Sequence, residues 1–178
     1  GWDDPRLWSL QSLEQRGILP ETIREFIISM GMTKSNSTVA VDVIYAMNKR
    51  HLEDKKRYFF VPNPEKIEIN APKLKAELPF HPSKDLGKRT YRTENEFFIP
   101  KEDANLFEEG RNYRLMHLFN FTVKHVNDER KLEFISQDND KNLNVKFIQW
   151  LPVSLDNPKT KILMPEGEII NGLGEPEL

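Results

Sequence analysis

The stretch Arg57-Tyr58-Phe59-Phe60-Val61-Pro62-Asn63-Pro64 divides the chain into two kinds of text. Its apolar run, 58–61, is stopped by Pro62 and Pro64, which lack the N–H that a helix interior or a central strand needs. Ile67 and Ile69 then alternate with Glu68 and Asn70, the period-two pattern of a half-buried strand. Further short strands are expected at 90–93, 96–99, 111–115, 119–125, 132–136, 145–150, 161–163 and 168–170. Pro, Gly, Asn and Asp punctuate them at short intervals. Many short strands with frequent turns predict a barrel or sandwich.

Upstream of Arg57 the text is helical. Pro20 suits the first turn of a helix, where a missing N–H costs nothing. Ile23, Phe26, Ile27 and Met30 follow at i, i+3, i+4 and i+7, one apolar stripe expected in the core. Gly31 is placed to end that helix in a left-handed cap. A shorter helix is expected over 9–16, closed by Gly17. A third follows the polar loop 33–37, with Ile44, Met47 and Leu52 on its buried side. The expected class is therefore α+β: a helical unit over 1–57, then an all-β, barrel-type unit over 58–178.

The chain has 178 residues and 18 aromatic side chains (11 Phe, 4 Tyr, 3 Trp), enough to build a core. It has no cysteine, which excludes disulfide scaffolds, thiolate zinc sites and thiol nucleophiles, and suits a reducing cytoplasm. No stretch approaches the roughly 20 apolar residues of a membrane span, so no membrane partner is expected. No signal-peptide pattern opens it. The start, Gly1-Trp2-Asp3, lacks Met and reads as a trimmed chain.

The formal charge of −2 argues against a generic nucleic-acid binder, but it conceals blocks. Residues 49–57 carry five cations against two acids, residues 73–92 six against two, and residues 111–131 five against two. Residues 94–109 and 165–178 are acidic. Basic blocks that converge in space would bind a polyanion through its phosphates.

Catalytic constellations are missing from the text. There is no phosphate-cradling glycine motif, no Gly-x-Ser-x-Gly and no His-Glu-x-x-His. His51, His81, His117 and His125 are too scattered to announce a metal site. Asp3 and Asp4 are adjacent, so regular structure does not aim them at one point. No catalytic or metal-ligating residue is assigned.

Gly1-Trp2-Asp3-Asp4-Pro5-Arg6-Leu7 resembles the GWDDPRL signature of the class I glutamyl- and glutaminyl-tRNA synthetases. Arg16-Gly17-Ile18, Pro20-Glu21, Ile23-Arg24-Glu25-Phe26 and Gly31 continue the likeness. So do Arg57–Pro62, His81-Pro82 with Gly87 and Arg89, the run 99–104, the run 110–115, Gln149-Trp150-Leu151 and Gly172-Leu173-Gly174-Glu175-Pro176. The resemblance covers essentially the whole chain. Tyr58–Val61 and Leu118-Phe119-Asn120 resemble the archaeal glutamyl type more than the glutaminyl type.

The resemblance implies a stem-contact region followed by an anticodon-binding barrel, trimmed at both ends. The HIGH-type and KMSKS-type motifs that bind ATP are not in this text. The implied parent is a glutamate–tRNA ligase using ATP with Mg, and no cofactor or activity of its own is expected for this part. Its implied partners are the glutamate tRNA, with the glutamine tRNA left open, the catalytic domain of the parent, and other proteins. The alternatives are a protein-interaction module, or the matching region of a glutaminyl enzyme.

By the same resemblance, Arg57 and Arg114 are the leading anticodon contacts, because guanidinium combines charge, stacking and a two-pronged donor set. Lys124, His125 and Asn171 are looser anticodon candidates. Strand alternation keeps Lys124 and His125 from pointing into one groove. Lys34 and Asn36 match the contact with the inner corner of tRNA. Arg89 either touches the RNA backbone or braces its loop. Trp2, Asp3, Asp4 and Arg6 are expected to be structural, and Trp150 to be core.

Overall fold

The computed structural model describes residues 1–31, 38–126, 129–140 and 142–178. It is mixed α+β and divides into two compact units, one of residues 1–56 with 162–169, the other of residues 57–161 with 170–178.

The first unit contains α1 (Leu10–Gln15), α2 (Pro20–Met30) and α3 (Val41–Leu52). Ser9 caps α1 by accepting from the Ser12 N–H at 3.1 Å. Pro20 starts α2, and Gly31 ends it with φ 69° and ψ 175°, an extended positive-φ conformation that glycine adopts freely, in place of the left-handed helical cap expected. Asp42 sits in the first turn of α3 and Lys49, Arg50 and His51 in its last, the arrangement that the helix dipole favours.

Asn48 is buried and makes three hydrogen bonds to the first two helical segments. Its Oδ1 accepts from the Leu19 N–H and from the Thr22 hydroxyl, each at 2.9 Å, and its Nδ2 donates to the Gly17 carbonyl at 3.0 Å. Glu25 of α2 receives Arg50 Nη2 at 2.6 Å and His51 Nε2 at 2.8 Å from α3.

The apolar core of this unit is small: Leu13, Ile18 and Ile44, with Ile23, Phe26 and Tyr45 packed on it. Two sequence expectations are corrected here. Ile27 is 62% exposed and Leu52 is 41% exposed, so neither is core. With so few apolar partners, α2 hides a narrower stripe than its spacing allows, and on α3 the buried positions are Ile44 and Asn48.

The second unit holds β1 (Phe60–Pro62), β2 (Pro64–Glu68), β3 (Leu74–Pro79), β4 (Lys88–Thr93), β5 (Glu96–Pro100), α4 (Lys101–Asn105), β6 (Asn112–Leu115), β7 (Asn120–Val126), β8 (Glu129–Ser136), β9 (Lys146–Ile148) and β10 (Leu151–Pro152). The hairpin of β11 (Lys159–Leu163) and β12 (Ile169–Gly174) has its turn in the first unit. Among the described residues the strands form four sheets, ordered β1-β12-β11, β10-β5-β2, β3-β4 and β8-β7-β6-β9. No one of these sheets closes on itself. Among the described residues β1–β12, β10–β5, β2–β5, β3–β4, β6–β7 and β7–β8 pair antiparallel, β6 runs parallel to β9, and an isolated parallel bridge joins Asn70 to Glu133.

One core serves all four sheets. It includes Val61, Ile67, Leu78, Tyr91, Phe97, Tyr113, Phe121, Ile148 and Trp150. Phe97 meets Phe119 and Trp150 edge-on at 5.8 and 5.4 Å, the geometry that ring quadrupoles prefer. Trp150 is core, as expected, and its indole N–H donates to the Met116 carbonyl at 3.0 Å. The strand at 74–79 is not among the expected ones, although Leu74, Ala76 and Leu78 alternate with Lys75 and Glu77, and the helix at 101–105 is too short to show a period.

Candidate nucleic-acid interface

Arg57 opens the β unit and is exposed. Its backbone N–H donates to the Phe80 carbonyl at 2.8 Å, which anchors the main chain and leaves the direction of the side chain independent of that bond. Tyr58 packs its ring on Phe80 at 5.4 Å. The same Phe80 ring lies under the Arg89 guanidinium at 5.0 Å, with Phe59 on that cation at 4.9 Å. Arg57 and Arg89 therefore share a neighbour, although one is exposed and the other only 3% so.

Arg89 braces rather than reaches. Its Nη2 pairs with Glu175 Oε1 at 2.6 Å and its Nη1 donates to the Pro79 carbonyl at 3.1 Å. Glu175 also accepts from the Phe59 N–H at 2.6 Å and from the Tyr91 hydroxyl at 3.3 Å. Burial is the dominant influence on Glu175 and lifts its carboxyl above the usual value, while the Phe59 N–H and Arg89 pull the other way. Burial, followed by the negative charge of Glu175, drives the Tyr91 phenol far above the ordinary tyrosine value.

Arg114, on β6, is also buried. Its Nη1 donates to Asn120 Oδ1 at 2.9 Å and to the Asp138 carbonyl at 3.0 Å, and its Nη2 donates to the Gln137 carbonyl at 3.1 Å. Asn120 Nδ2 adds bonds to Ser136 Oγ and the Asp138 carbonyl. This network ties down the segment after β8. Burial lowers the Arg114 value, though guanidinium stays charged at any relevant pH.

Register places Phe147, Arg114, Asn120 and Ser136 in one row across β9, β6, β7 and β8. Their neighbours Ile148, Tyr113, Leu115 and Phe121 belong to the core, so the row lies on the opposite face of this sheet. Phe147 is 52% exposed. A half-open ring beside an arginine on a sheet face is the type of platform on which single-stranded bases stack.

Lys124 and His125 separate as alternation requires. Lys124 Nζ pairs with Glu133 on β8, and His125 Nδ1 stands 3.5 Å from Glu109. Both side chains are exposed. Asn171 is exposed on β12, and its carbonyl accepts from the Asn63 N–H at 3.0 Å. Lys34 and Asn36 lie outside the described residues. The structure thus gathers Arg57 with Arg89 around Phe80 and sets Lys124 and His125 on the same sheet as Arg114; Asn171 is held at the β1–β12 edge.

Sequence reasoning passed over Phe147, His117 and Glu175. Phe147 shares its parity with Gln149 rather than with core Ile148 and Trp150, a signal that alternation could have supplied. His117 occupies the turn between β6 and β7 with φ 60°. Desolvation, then the positive fields of Arg89 and Arg114, holds its imidazole below the ordinary value. Among the described residues no three His, Asp or Glu side chains gather into a metal-binding cluster.

Residues 56–137 match the family model of the anticodon-binding domain of class I tRNA synthetases for E and Q. Over that segment the chain belongs to that domain family. It is 37% identical over 98% of its length to the glutamate–tRNA ligase of Methanocaldococcus jannaschii. It is 34% identical over 94% of its length to that of Pyrococcus horikoshii, and 36% over 93% to that of Nitrosopumilus maritimus. The chain spans about a third of the length of these relatives: 32%, 30% and 29%. No described helix is long and apolar enough to cross a membrane.

Proposed function

We propose that this chain is the tRNA-recognition part of a glutamate–tRNA ligase, with residues 58–178 taking the anticodon loop and residues 1–57 the stem side. The observation that carries this reading is the match of 56–137 to an anticodon-binding domain. That segment contains Arg57, Arg89, Arg114, Lys124 and His125. In this reading the exposed Arg57 holds a phosphate or stacks on a base, and Phe147 offers a ring to an unstacked base. Arg114 acts through the 137–138 segment that it fixes. Lys34 and Asn36 serve the inner corner of the tRNA, and Asn171 a polar contact at the barrel edge.

The partner is the glutamate tRNA, with the glutamine tRNA as second candidate. The whole protein attaches glutamate to that tRNA in the cytoplasm, and the ATP with its Mg is handled by the part of such ligases that this chain does not cover. The four sheets wrapped on one core support a barrel-type arrangement.

Fluorescence-anisotropy titration of glutamate, glutamine and aspartate anticodon stem-loops tests the proposal. Tightest binding to the glutamate stem-loop is expected, weakening steeply as salt rises because phosphate contacts release counterions. Equal weak binding to all three would overturn it.

A further inference from the structure

The hairpin of β3 and β4 alternates strictly. Ala76, Leu78, Arg89, Tyr91 and Thr93 are buried, whereas Lys75, Glu77, Lys88, Thr90 and Arg92 face water. Register sets Lys75 directly opposite Arg92 and Glu77 opposite Thr90. Like charges directly opposite on an antiparallel pair are destabilising. An exposed pair under no other demand would be expected to carry opposite charges or small polar groups. Lys73 precedes β3 on the same side chain block, and Lys88 opens β4.

The acids nearby do not neutralise this face. Lys75 meets Glu77 at 3.0 Å and Lys73 meets Glu94 at 3.2 Å. Both pairs are open to solvent, with the lysines 65% and 77% exposed, so they contribute little and exchange readily for another anion. Arg92 and Lys88 form no ion pair among the described residues. Beside the cations runs an open groove of about 690 Å³ whose lining includes Lys73, Lys75, Thr90 and Arg92, together with Glu94 and apolar side chains. Cations and hydroxyls along a groove are the groups that meet phosphate and ribose oxygens without reading a base.

We propose that this outer face of β3–β4 is a second RNA contact, which takes the sugar–phosphate backbone of the paired stem next to the loop. It rests on the reading of the module as an RNA binder, but it adds a site that none of the leading candidates occupies. Phosphates replace Glu77 and Glu94 as partners of Lys75 and Lys73, and Arg92 binds one in two-pronged fashion.

The test is the Lys75→Gln/Arg92→Gln variant of the full chain, compared with the native chain on a glutamate anticodon stem-loop and on a duplex stem without the loop. Both positions are exposed, and an unchanged thermal melt confirms the fold. The expected result is about tenfold weaker binding to both RNAs, with the salt slope reduced by about two because two phosphate contacts are lost. The preference among anticodon loops is expected to stay the same. Unchanged affinity and slope, while Arg57→Ala still weakens the stem-loop, would overturn this site and leave the anticodon reading standing. Loss of duplex binding in the variant, with the native chain indifferent to loop sequence, would uphold the site and overturn the anticodon reading. Failure of the native chain to bind either RNA, or its preference for an acidic polypeptide such as polyglutamate through the same two residues, would overturn the site.

Discussion

Arg89 and Glu175 stand 86 residues apart in the chain and meet at 2.6 Å, with side chains 1% and 0% exposed. The pair joins β4 to the segment after β12, and Glu175 also receives the Phe59 N–H just ahead of β1. Three distant pieces of chain are thus closed on one carboxylate.

Removing either partner leaves an uncompensated charge or unpaired donors inside the protein. Arg89→Ala and Glu175→Ala are each expected to lower stability by about 3–5 kcal/mol. The double variant is expected to lose less than the sum of the two, because the second removal finds no partner left to orphan. Urea denaturation of the four proteins in a cycle measures this, and additive losses would contradict it.

Arg57→Ala keeps the backbone bond to Phe80 and removes an exposed side chain, so a stability change of no more than about 1 kcal/mol is expected. Binding of the glutamate anticodon stem-loop is expected to weaken by about 1–3 kcal/mol. Anisotropy at fixed salt checks both halves. A fall in stability without a loss of affinity would move Arg57 to a structural role.

Phe147 and Arg114 are neighbours in register but differ in what a substitution removes. Phe147→Ala is expected to weaken stem-loop binding by about 1–3 kcal/mol with little change in stability. Arg114→Ala is expected to lower stability by about 1–3 kcal/mol, since it strips the Asn120, Gln137 and Asp138 oxygens of buried donors. Paired melts and titrations separate the two. Identical effects from both variants would refute the distinction.

His117, although its side chain meets solvent, gives the module a small pH dependence of defined sign. Its folded value is lowered by desolvation and by Arg89 and Arg114. As pH falls through about 6.5, the unfolded chain takes up this proton first, so His117 withdraws stability on acidification. The loss is complete once pH is below the folded value. Histidine NMR titration is expected to place the His117 midpoint below that of a free imidazole, and His117→Gln to flatten the stability profile over this window. A midpoint at or above the free value would remove the effect.

Much of this architecture was legible from neighbouring residues. Pro20 and Gly31 bound α2 because each removes or permits a local backbone conformation. Residues 90–93 read as a strand, which the structure extends to Lys88–Thr93 with one wet face. Trp150 in an apolar run was core. The order of the motifs from Gly1 to Glu175 carried the family likeness. These are short-range properties, set by φ, hydrogen-bond valence and the period of side chains along a few residues.

What the sequence by itself determined, then, was the switch from helices to strands at Arg57 and the basic blocks that suggest a polyanion. Only the tertiary structure decided which cations face outward. Arg89 and Arg114 look like Arg57 in the text, yet long-range partners at Glu175, Asn120, Gln137 and Asp138 draw them inside, while Lys75 and Arg92 are brought side by side on a wet strand pair. A guanidinium is placed by whichever acceptors reach it, and those acceptors arrive from chain segments that no local pattern connects.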